Sequence, residues 1–284
     1  MQKENLLIVG WFKFPFGSAA ASRIRTIAKG LTEQGVKVHI ITTTRIPLRE
    51  EDIISSNQMS WQGITYESQN QYEKENKKLP KLKRIWKYII ATIKTWKRIF
   101  TLIKSSEFDN ILIYGRSAIS YFPIVVIAKL YRASLFYDGV EWFPPQKFNG
   151  VFLNPFFYDD KLGRYLPCLG CQGVIAISEY ICQKYIKYNI PCIIIPSIFD
   201  ASIIESITSL EKQCKSESNN QFTVMYAGTC KYGDGFNKLL DAVKIAHLQG
   251  CPIELLVLGA DGLSGNSLKQ RKLCEQDDIL SSCV

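Results

Sequence analysis

A short glycine- and serine-containing loop near the start of the chain has the residue types that bind anions. Gly17 and Ser18 precede a helical pattern, and the backbone N–H groups and dipole at such a helix start favour an anion such as a diphosphate. An ordinary loop with Ser18 as a helix N-cap is the alternative. Arg23, one turn into the helix, would reach a phosphate with two N–H donors, whereas Arg25 points elsewhere and is expected to be solvated.

A second group of polar residues follows an apolar run in the sequence FYDGVEWFPP. In an open α/β sheet, ligands collect at the carboxyl ends of the strands, which is where Asp138 and Glu141 would lie. Either carboxylate would accept a proton from a hydroxyl group or hydrogen-bond a polar ligand, so both are predicted catalytic residues. A loop cap or a structural hydrogen bond is the alternative. Trp142 offers a flat surface on which the ring of a ligand would stack.

The pattern of apolar residues indicates the elements that would position these groups. An apolar run at 6–9, a loop, an amphipathic helix at 19–34 that ends at Gly35, and a strand at 36–42 form a β-loop-α-β unit. This unit predicts an α/β fold with a parallel, doubly wound sheet. Helices are predicted at 117–131 and 178–187. The other predicted strands lie at 61–66, 110–114, 134–137, 173–176 and 192–195.

The positive charge of the chain is concentrated in one segment. The net charge is +9, and residues 77–104 contain ten basic residues and no acidic ones. The remainder has 25 basic and 26 acidic residues and is therefore close to neutral. An excess of charge this local calls for a specific explanation.

Residues 77–104 read as a basic amphipathic helix with aromatic and aliphatic residues at helical spacing. This composition predicts contact with an anionic membrane surface. The alternatives are a core-packed helix with a solvated basic face, and nucleic-acid binding, for which the rest of the chain has no motif. The predicted membrane-contact residues are Lys83, Arg84, Trp86, Lys87, Trp96, Lys97 and Arg98.

Composition and cysteine usage exclude several other classes. The amino terminus has no signal-peptide pattern and no apolar stretch is long enough to span a bilayer, so a cytoplasmic protein is expected. The nine cysteines are then expected to be reduced and mostly buried. Cys168 and Cys171 form a lone CxxC pair, and with two histidines in the chain we expect no metal site. The loop lacks the GxGxxG pattern, which disfavours a nicotinamide or flavin cofactor.

Five segments, in order, resemble family 4 glycosyltransferases of the GT-B fold: GWFKFPFGSAAASRIRTIAKGLTEQGVKVHIIT, YDGVEW, GVIAISEYICQKY, IPSIFD and YAGTCKYGDGFNKLLDAVKIA. The resemblance covers nearly the whole chain, and it rests on the order and separation of the motifs more than on any one of them. It implies two Rossmann-like domains that face one another across a cleft, with the acceptor on the front domain and a nucleotide-sugar donor on the rear one.

The resemblance also implies domain boundaries and donor-binding residues. An acceptor-side domain at 1–200, a linker at 201–220 and a donor-binding domain at 221–284 are expected. Gly17, Ser18, Arg23, Gly228, Thr229 and Lys231 would bind the donor, with Lys231 neutralising its diphosphate. Trp142 would bind the acceptor. The implied reaction moves a sugar, with retention, from a nucleotide diphosphate to a glycan or lipid-linked glycan, in polysaccharide or cell-surface glycan synthesis on the cytoplasmic face of a membrane.

The sequence departs from the family pattern in two places. Relatives often have a histidine near Asp138, and here there is none. The Glu-x7-Glu segment by which relatives contact the donor sugar does not follow Gly259, so we expect the second domain to be incomplete. The alternative function is therefore an inactive truncated remnant that docks on a membrane or on a partner chain that completes this domain.

Overall fold

The computed structural model describes residues 4–44, 53–55, 58–69, 81–143, 154–198, 222–227, 235–251 and 253–258. The chain divides into two compact units, Met1–Ile207 and Thr208–Val284. The predicted linker at 201–220 lies outside the described residues.

The first unit is an α/β domain around one nine-stranded sheet. Its strands are β1 (Asn5–Gly10), β2 (Lys37–Thr42), β3 (Ile53–Ser55), β4 (Gln58–Trp61), β5 (Ile64–Ser68), β6 (Asn110–Tyr114), β7 (Ser134–Gly139), β8 (Gly173–Ala176) and β9 (Cys192–Ile194). Its α-helices are α1 (Ala19–Glu33), α2 (Lys81–Lys104), α3 (Ala118–Leu130), α4 (Pro155–Gly163) and α5 (Glu179–Ile186), with a 3-10 turn at Leu166–Leu169.

The sheet has the order β3-β4-β5-β2-β1-β6-β7-β8-β9 and is mostly parallel. From β5 through β9 every neighbouring pair in this order is parallel, and β4 runs antiparallel to both β3 and β5. The chain passes from β1 to β2 on one side and later places β6 on the other side of β1. The order of the strands therefore reverses at β1, which makes the β1/β6 boundary the topological switch point.

The two faces of the sheet are covered by different helices because alternate strand residues point to opposite sides. On one face Ile8 and Leu112 pack with Ile24 and Ala28 of α1. On the other face side chains from β1, β6 and β7 pack with residues of α2, α3 and α5. Burial on both faces explains why the central strands are apolar almost throughout, as parallel strands require.

The structure confirms the α/β class and most of the predicted elements, and corrects one strand. The strand predicted at 61–66 is wrong, because Gln62 and Gly63 have positive φ angles of 47° and 81° and form a turn. This turn separates β4 from β5, which pair as an antiparallel hairpin. The hairpin places β5 beside β2 near one edge of the sheet.

The second unit is described in three elements. β10 (Phe222–Ala227) and β11 (Ile253–Leu258) are parallel neighbours, joined by the helix α6 (Phe236–Leu248). Phe236, Leu240 and Val243 of the helix pack against Leu255 of β11. This β-α-β unit is of the Rossmann-like type that the resemblance implies for this part of the chain.

An ionic cluster around the buried Glu67 carboxylate attaches α2 to the main sheet near one edge. His39 Nε2 lies 3.1 Å and Arg98 Nε lies 2.8 Å from Glu67 Oε1. His39 Nδ1 also lies 2.7 Å from the hydroxyl of Thr65. Burial raises the pKa of Glu67, but the hydrogen bonds and charges of His39 and Arg98 outweigh it and hold that pKa below 4.5.

The lowered pKa of the Glu67 carboxyl group makes the stability of the folded state depend on pH. The contribution of Glu67 to stability should be complete above the ordinary value of 4.5 and lost as the pH falls through the lower folded-state pKa. We expect Glu67→Gln to lower the free energy of unfolding by about 1–3 kcal/mol at neutral pH. Urea unfolding of both proteins at stepwise lower pH should show this difference disappearing.

The matched control is Glu107→Gln, since Glu107 forms an exposed pair with Lys37 at 3.1 Å. Its effect should stay within about 1 kcal/mol at every pH. A difference for Glu67→Gln that persists unchanged in acid would contradict the assignment.

Candidate functional site

The loop between β1 and α1 lies at the switch point and starts the helix with a conventional cap. The backbone N–H of Ala21 donates to Ser18 Oγ at 3.1 Å, so the N-cap interpretation of Ser18 is confirmed. Gly17 has a φ angle of 107°, a conformation that favours glycine. Anion binding by Gly17 and Ser18 stays a prediction.

Arg23 and Asp138 form a buried ion pair. Arg23 Nε and Nη2 donate to the Asp138 carboxylate at 2.9 Å, and Nη1 donates to the carbonyl oxygens of Ile195 and Pro196 at 2.8 and 2.9 Å. The two side chains are 6% and 0% exposed. The pair therefore ties α1 to the end of β7 and to the segment after β9.

This geometry bears on the roles predicted for both residues. Every nitrogen of the Arg23 guanidinium has an oxygen partner, so donation to a phosphate would require the pair to separate. Burial raises the pKa of Asp138, and the charge of Arg23 opposes that rise. The predicted roles of Arg23 in donor binding and of Asp138 in catalysis stay predictions, and both side chains are here committed to structural contacts.

Arg25 is not solvated, and that expectation is wrong. The residue is 9% exposed, its Nη1 donates to Pro15 O at 3.3 Å, and its guanidinium lies 4.8 Å from the ring centroid of Phe16. It also lies 5.7 Å from the ring of Trp61 on β4. The planar guanidinium of this α1 residue lies over aromatic rings, which accounts for its burial against the β1–α1 loop and β4.

Glu141 belongs to a chain of alternating charges that joins three segments. Arg116, in the loop after β6, lies 2.9 Å from Glu141 and 3.1 Å from Asp160 of α4. Arg164, at the end of α4, donates to the same Asp160 carboxylate and to Phe143 O at 2.7 Å. Glu141 is the most exposed of these partners, with 52% of its side chain accessible, and it remains a candidate for contact with an acceptor.

Because Gly163 has no side chain, α4 approaches this network closely. A Cβ atom on Gly163 would lie 1.4 Å from Arg116 O, far inside any permitted contact. Only glycine fits there without a shift of the backbone. The close approach brings Asp160 and Arg164 within reach of the loop after β6.

An aromatic pocket of about 410 Å³ lies where the segments after β7 and β8 meet α4. Trp142 lines it, as a sugar-stacking residue would, and Arg164 lies 5.0 Å from the Trp142 ring centroid. The other lining residues are Phe143, Phe157, Lys161, Tyr165 and Tyr180. Aromatic rings with cations close to them suit a polar ligand that has flat apolar faces.

The basic helix α2 has two apolar faces rather than one. Ile99, Leu102 and Ile103 are buried against the main core, and Trp96 packs there too, with its Nε1 donating to Ser120 O at 2.7 Å. A neighbouring face of the helix leaves large apolar side chains exposed among lysines: Trp86 63%, Ile89 39%, Ile90 49%, Ile93 40% and Phe100 40%. In the part of the chain that the structure describes, no helix has the length and apolar character to cross a bilayer.

The predicted membrane-contact residues therefore divide into two sets. Lys83, Trp86 and Lys97 are exposed, and Lys87 is half-buried. Trp96 and Arg98 are turned toward the domain by their bonds to Ser120 and Glu67. Arg84 lies within α2, but its side chain is outside the described residues.

Several other predictions concern the second unit or the cysteines. Gly228, Thr229 and Lys231 lie outside the described residues. Of the described cysteines only Cys182 is buried, so the expectation of mostly buried thiols is wrong for this part of the chain. Among the described residues, no cluster of His, Cys, Asp and Glu is placed to hold a metal ion.

Sequence reasoning missed Arg116, Asp160 and Arg164. The i,i+4 spacing of Asp160 and Arg164 on a helix was the one local signal for their pairing. Arg116 carries no such signal, because its partners are 25 and more residues away in sequence.

Comparison with solved structures identifies the fold. HepE of Anabaena, in complex with UDP and glucose, is 17% identical, with a TM-score of 0.56 over 98% of this chain and 66% of that one. A glycosyltransferase from Rickettsia africae is 16% identical, with a TM-score of 0.56 over 100% and 66%. The catalytic domain of starch synthase IV from Arabidopsis thaliana, bound to ADP and acarbose, is 10% identical, with a TM-score of 0.60 over 100% and 76%.

The fold class is thus the α/β, Rossmann-like architecture of GT-B glycosyltransferases. The chain spans 66% of the length of the first two of these structures, just under two thirds. No protein-family model matches the sequence, and no curated protein does.

The Arg23–Asp138 pair should be a major determinant of stability. Arg23→Leu would leave the Asp138 charge buried without a partner and should lower the free energy of unfolding by about 3–5 kcal/mol. The double variant Arg23→Leu/Asp138→Leu should recover much of this loss, because it removes both charges. Urea unfolding of the two variants measures this coupling, and a single-variant loss below about 1 kcal/mol would contradict it.

Proposed function

We propose that this protein is a family 4 glycosyltransferase that moves a sugar, with retention, from a nucleotide-diphosphate donor to a glycan or lipid-linked glycan. It would act in polysaccharide or cell-surface glycan synthesis, at the cytoplasmic face of a membrane. The observation that carries the proposal is the likeness, over nearly the whole chain, to glycosyltransferase structures such as HepE, which holds UDP and glucose.

The pocket supports the acceptor side of this proposal. It lies beyond the carboxyl ends of β7 and β8, the edge at which open α/β sheets bind ligands. Trp142 would stack on a sugar ring of the acceptor. Glu141, beside it and half exposed, would orient or deprotonate the acceptor hydroxyl.

The donor side of the proposal rests on the sequence motif after β10. Gly228 and Thr229 would bring backbone N–H groups to the diphosphate, and Lys231 would neutralise the charge that develops on it as the glycosidic bond breaks. Stabilising a leaving group in this way is a large catalytic contribution in this reaction class. Gly17 and Ser18 would add the dipole of α1, in a manner that leaves the Arg23–Asp138 pair intact.

Removal of the Lys231 charge should slow transfer with little effect on stability. We expect Lys231→Ala to lower kcat by about 10²-fold, measured as release of nucleoside diphosphate from a panel of UDP-, ADP- and GDP-sugars. Lys238→Ala is the control, because Lys238 is exposed on α6 and should be dispensable. Equal turnover by the Lys231→Ala protein would reject this role.

We further propose that the exposed face of α2 binds an anionic membrane surface. Apolar side chains such as Trp86 and Ile90 would enter the lipid interface, while Lys94 and Lys97 would lie near the head groups. Such binding would bring the acceptor pocket close to lipid-linked substrates.

Neutralising two exposed lysines should weaken this binding. Lys94→Gln/Lys97→Gln should lower the partition onto phosphatidylglycerol vesicles at low salt by at least about tenfold, since each lysine near such a surface is worth about 1 kcal/mol. Vesicle flotation measures the partition, and Lys129→Gln on α3 is the control. Unchanged flotation, or no flotation of the parent protein, would refute membrane contact.

The second candidate function is a docking module without transferase activity, and the exposed apolar face of α2 is the observation that favours it. This module would bind vesicles or a partner chain and would turn over no nucleotide sugar. The turnover assay and the flotation assay, performed on one preparation, distinguish the two candidates.

A further inference from the structure

Two lysines lie at the aromatic pocket, outside the network of ion pairs beside it. Within the network, Arg116 and Arg164 are matched by Glu141 and Asp160. Lys161 and Lys184 have no carboxylate within ion-pair distance among the residues that the structure describes.

The nearby acidic residues keep their charges but make their hydrogen bonds to other groups. Residues 144–153, which connect Phe143 to α4, contain no Asp or Glu in their sequence. Glu179, on the same helix as Lys184, accepts a hydrogen bond from Gln183 at 3.2 Å. Asp159, next to Asp160 on α4, accepts from the backbone N–H of Ile119 at 2.8 Å.

Both lysines lie beside rings at the pocket. Lys184 Nζ lies 4.5 Å from the Tyr180 ring centroid and 5.8 Å from that of Trp142. Lys161 lines the pocket and lies 5.9 Å from the Phe157 ring centroid. A ligand on the Trp142 and Tyr180 rings would therefore lie near the Lys184 ammonium group, in a pocket that Lys161 also lines.

We infer that this pocket selects an acceptor sugar that carries a negative charge, either the carboxylate of a uronic acid or a phosphate group. The inference rests on the proposed transferase function and names the class of its acceptor. The volume of the pocket, about 410 Å³, is in the range of small-molecule sites and fits one or two sugar rings. Trp142 and Tyr180 would contact the apolar face of the ring, and Lys161 and Lys184 would make charge-assisted hydrogen bonds to the anion.

The selectivity follows from a difference between charged and neutral ligands. A neutral sugar would keep the stacking contacts and leave the two ammonium groups to water. An anionic sugar would add two partly exposed ion pairs, each worth up to about fivefold in affinity. Because such pairs are screened by salt, the preference should shrink as ionic strength rises.

Binding of simple probes tests this without any nucleotide sugar. The probes are methyl glucuronide, glucose 1-phosphate and methyl glucoside, titrated against the full chain by saturation-transfer NMR. We expect at least one anionic probe to bind at least about fivefold more tightly than methyl glucoside at low salt. The tighter of the two anionic probes shows whether a carboxylate or a phosphate is the better ligand.

Variants of the two lysines separate charge from folding. Lys161→Gln/Lys184→Gln should remove the preference for the anionic probes, leaving an affinity ratio of about one, whereas Lys161→Arg/Lys184→Arg should keep it. The control is Lys187→Gln, since Lys187 is an exposed lysine at the end of α5 that lies beside the ring of Tyr188 at 5.1 Å. Thermal unfolding identifies any variant that fails to fold. If the glutamine pair does not fold, the arginine pair is the test, and a loss of the anionic preference there would contradict the inference.

The outcomes also separate this inference from the proposed function. Equal affinity for all three probes, or an unchanged preference in Lys161→Gln/Lys184→Gln, would overturn the anionic site even if sugar transfer is observed. A preserved preference without turnover of any nucleotide sugar would reject the transferase and leave an anionic-sugar binding site in place.

Discussion

The buried pair of Arg23 and Asp138 is the contact on which the arrangement of the first unit depends. It joins the first helix, the end of a central strand and the backbone beyond the last strand, three segments that are far apart in sequence. Because Asp138 is anchored inside, the chain leaves β7 in a fixed direction, and the next side chains reach the pocket. The same carboxylate that looks catalytic in the sequence thus sets the position of Glu141 and Trp142.

Arginine side chains make most of the links between elements at this edge of the sheet. Arg23, Arg116 and Arg164 each contact both a carboxylate and another group, and two of them also donate to backbone carbonyls. A guanidinium suits this work, because its donors are fixed in one plane and it remains charged when buried. The lysines near the pocket contact rings, and among the described residues they have no carboxylate partner, so they remain available to a ligand.

The elements that were predicted well are those with a clear local pattern of apolar residues in the sequence. β6 and β8 were placed at their observed bounds, since apolar runs between turn residues define buried strands. The strand at 61–66 failed because a Gln-Gly turn interrupts it. The ionic partners of Arg23 and Arg116 could not be predicted from the sequence. Arg23 and Asp138 are separated by 115 residues, and no local pattern indicates which distant residue a side chain will contact. Trp142 lines a pocket, its role in acceptor binding stays a prediction, and the cations beside it come from two later helices.

The contact between Gly163 and the carbonyl of Arg116 has a consequence for how the pocket can vary. The spacing between α4 and the loop after β6 is set by the absence of a single carbon atom, so this wall cannot be adjusted in small steps by exchanging one residue for a slightly larger one. A methyl group at position 163 would force the helix outward and would carry Asp160, Lys161 and Arg164 with it. The width of the cavity and its charge are therefore mechanically coupled, and related sequences with a different residue at this position would be expected to differ in both together.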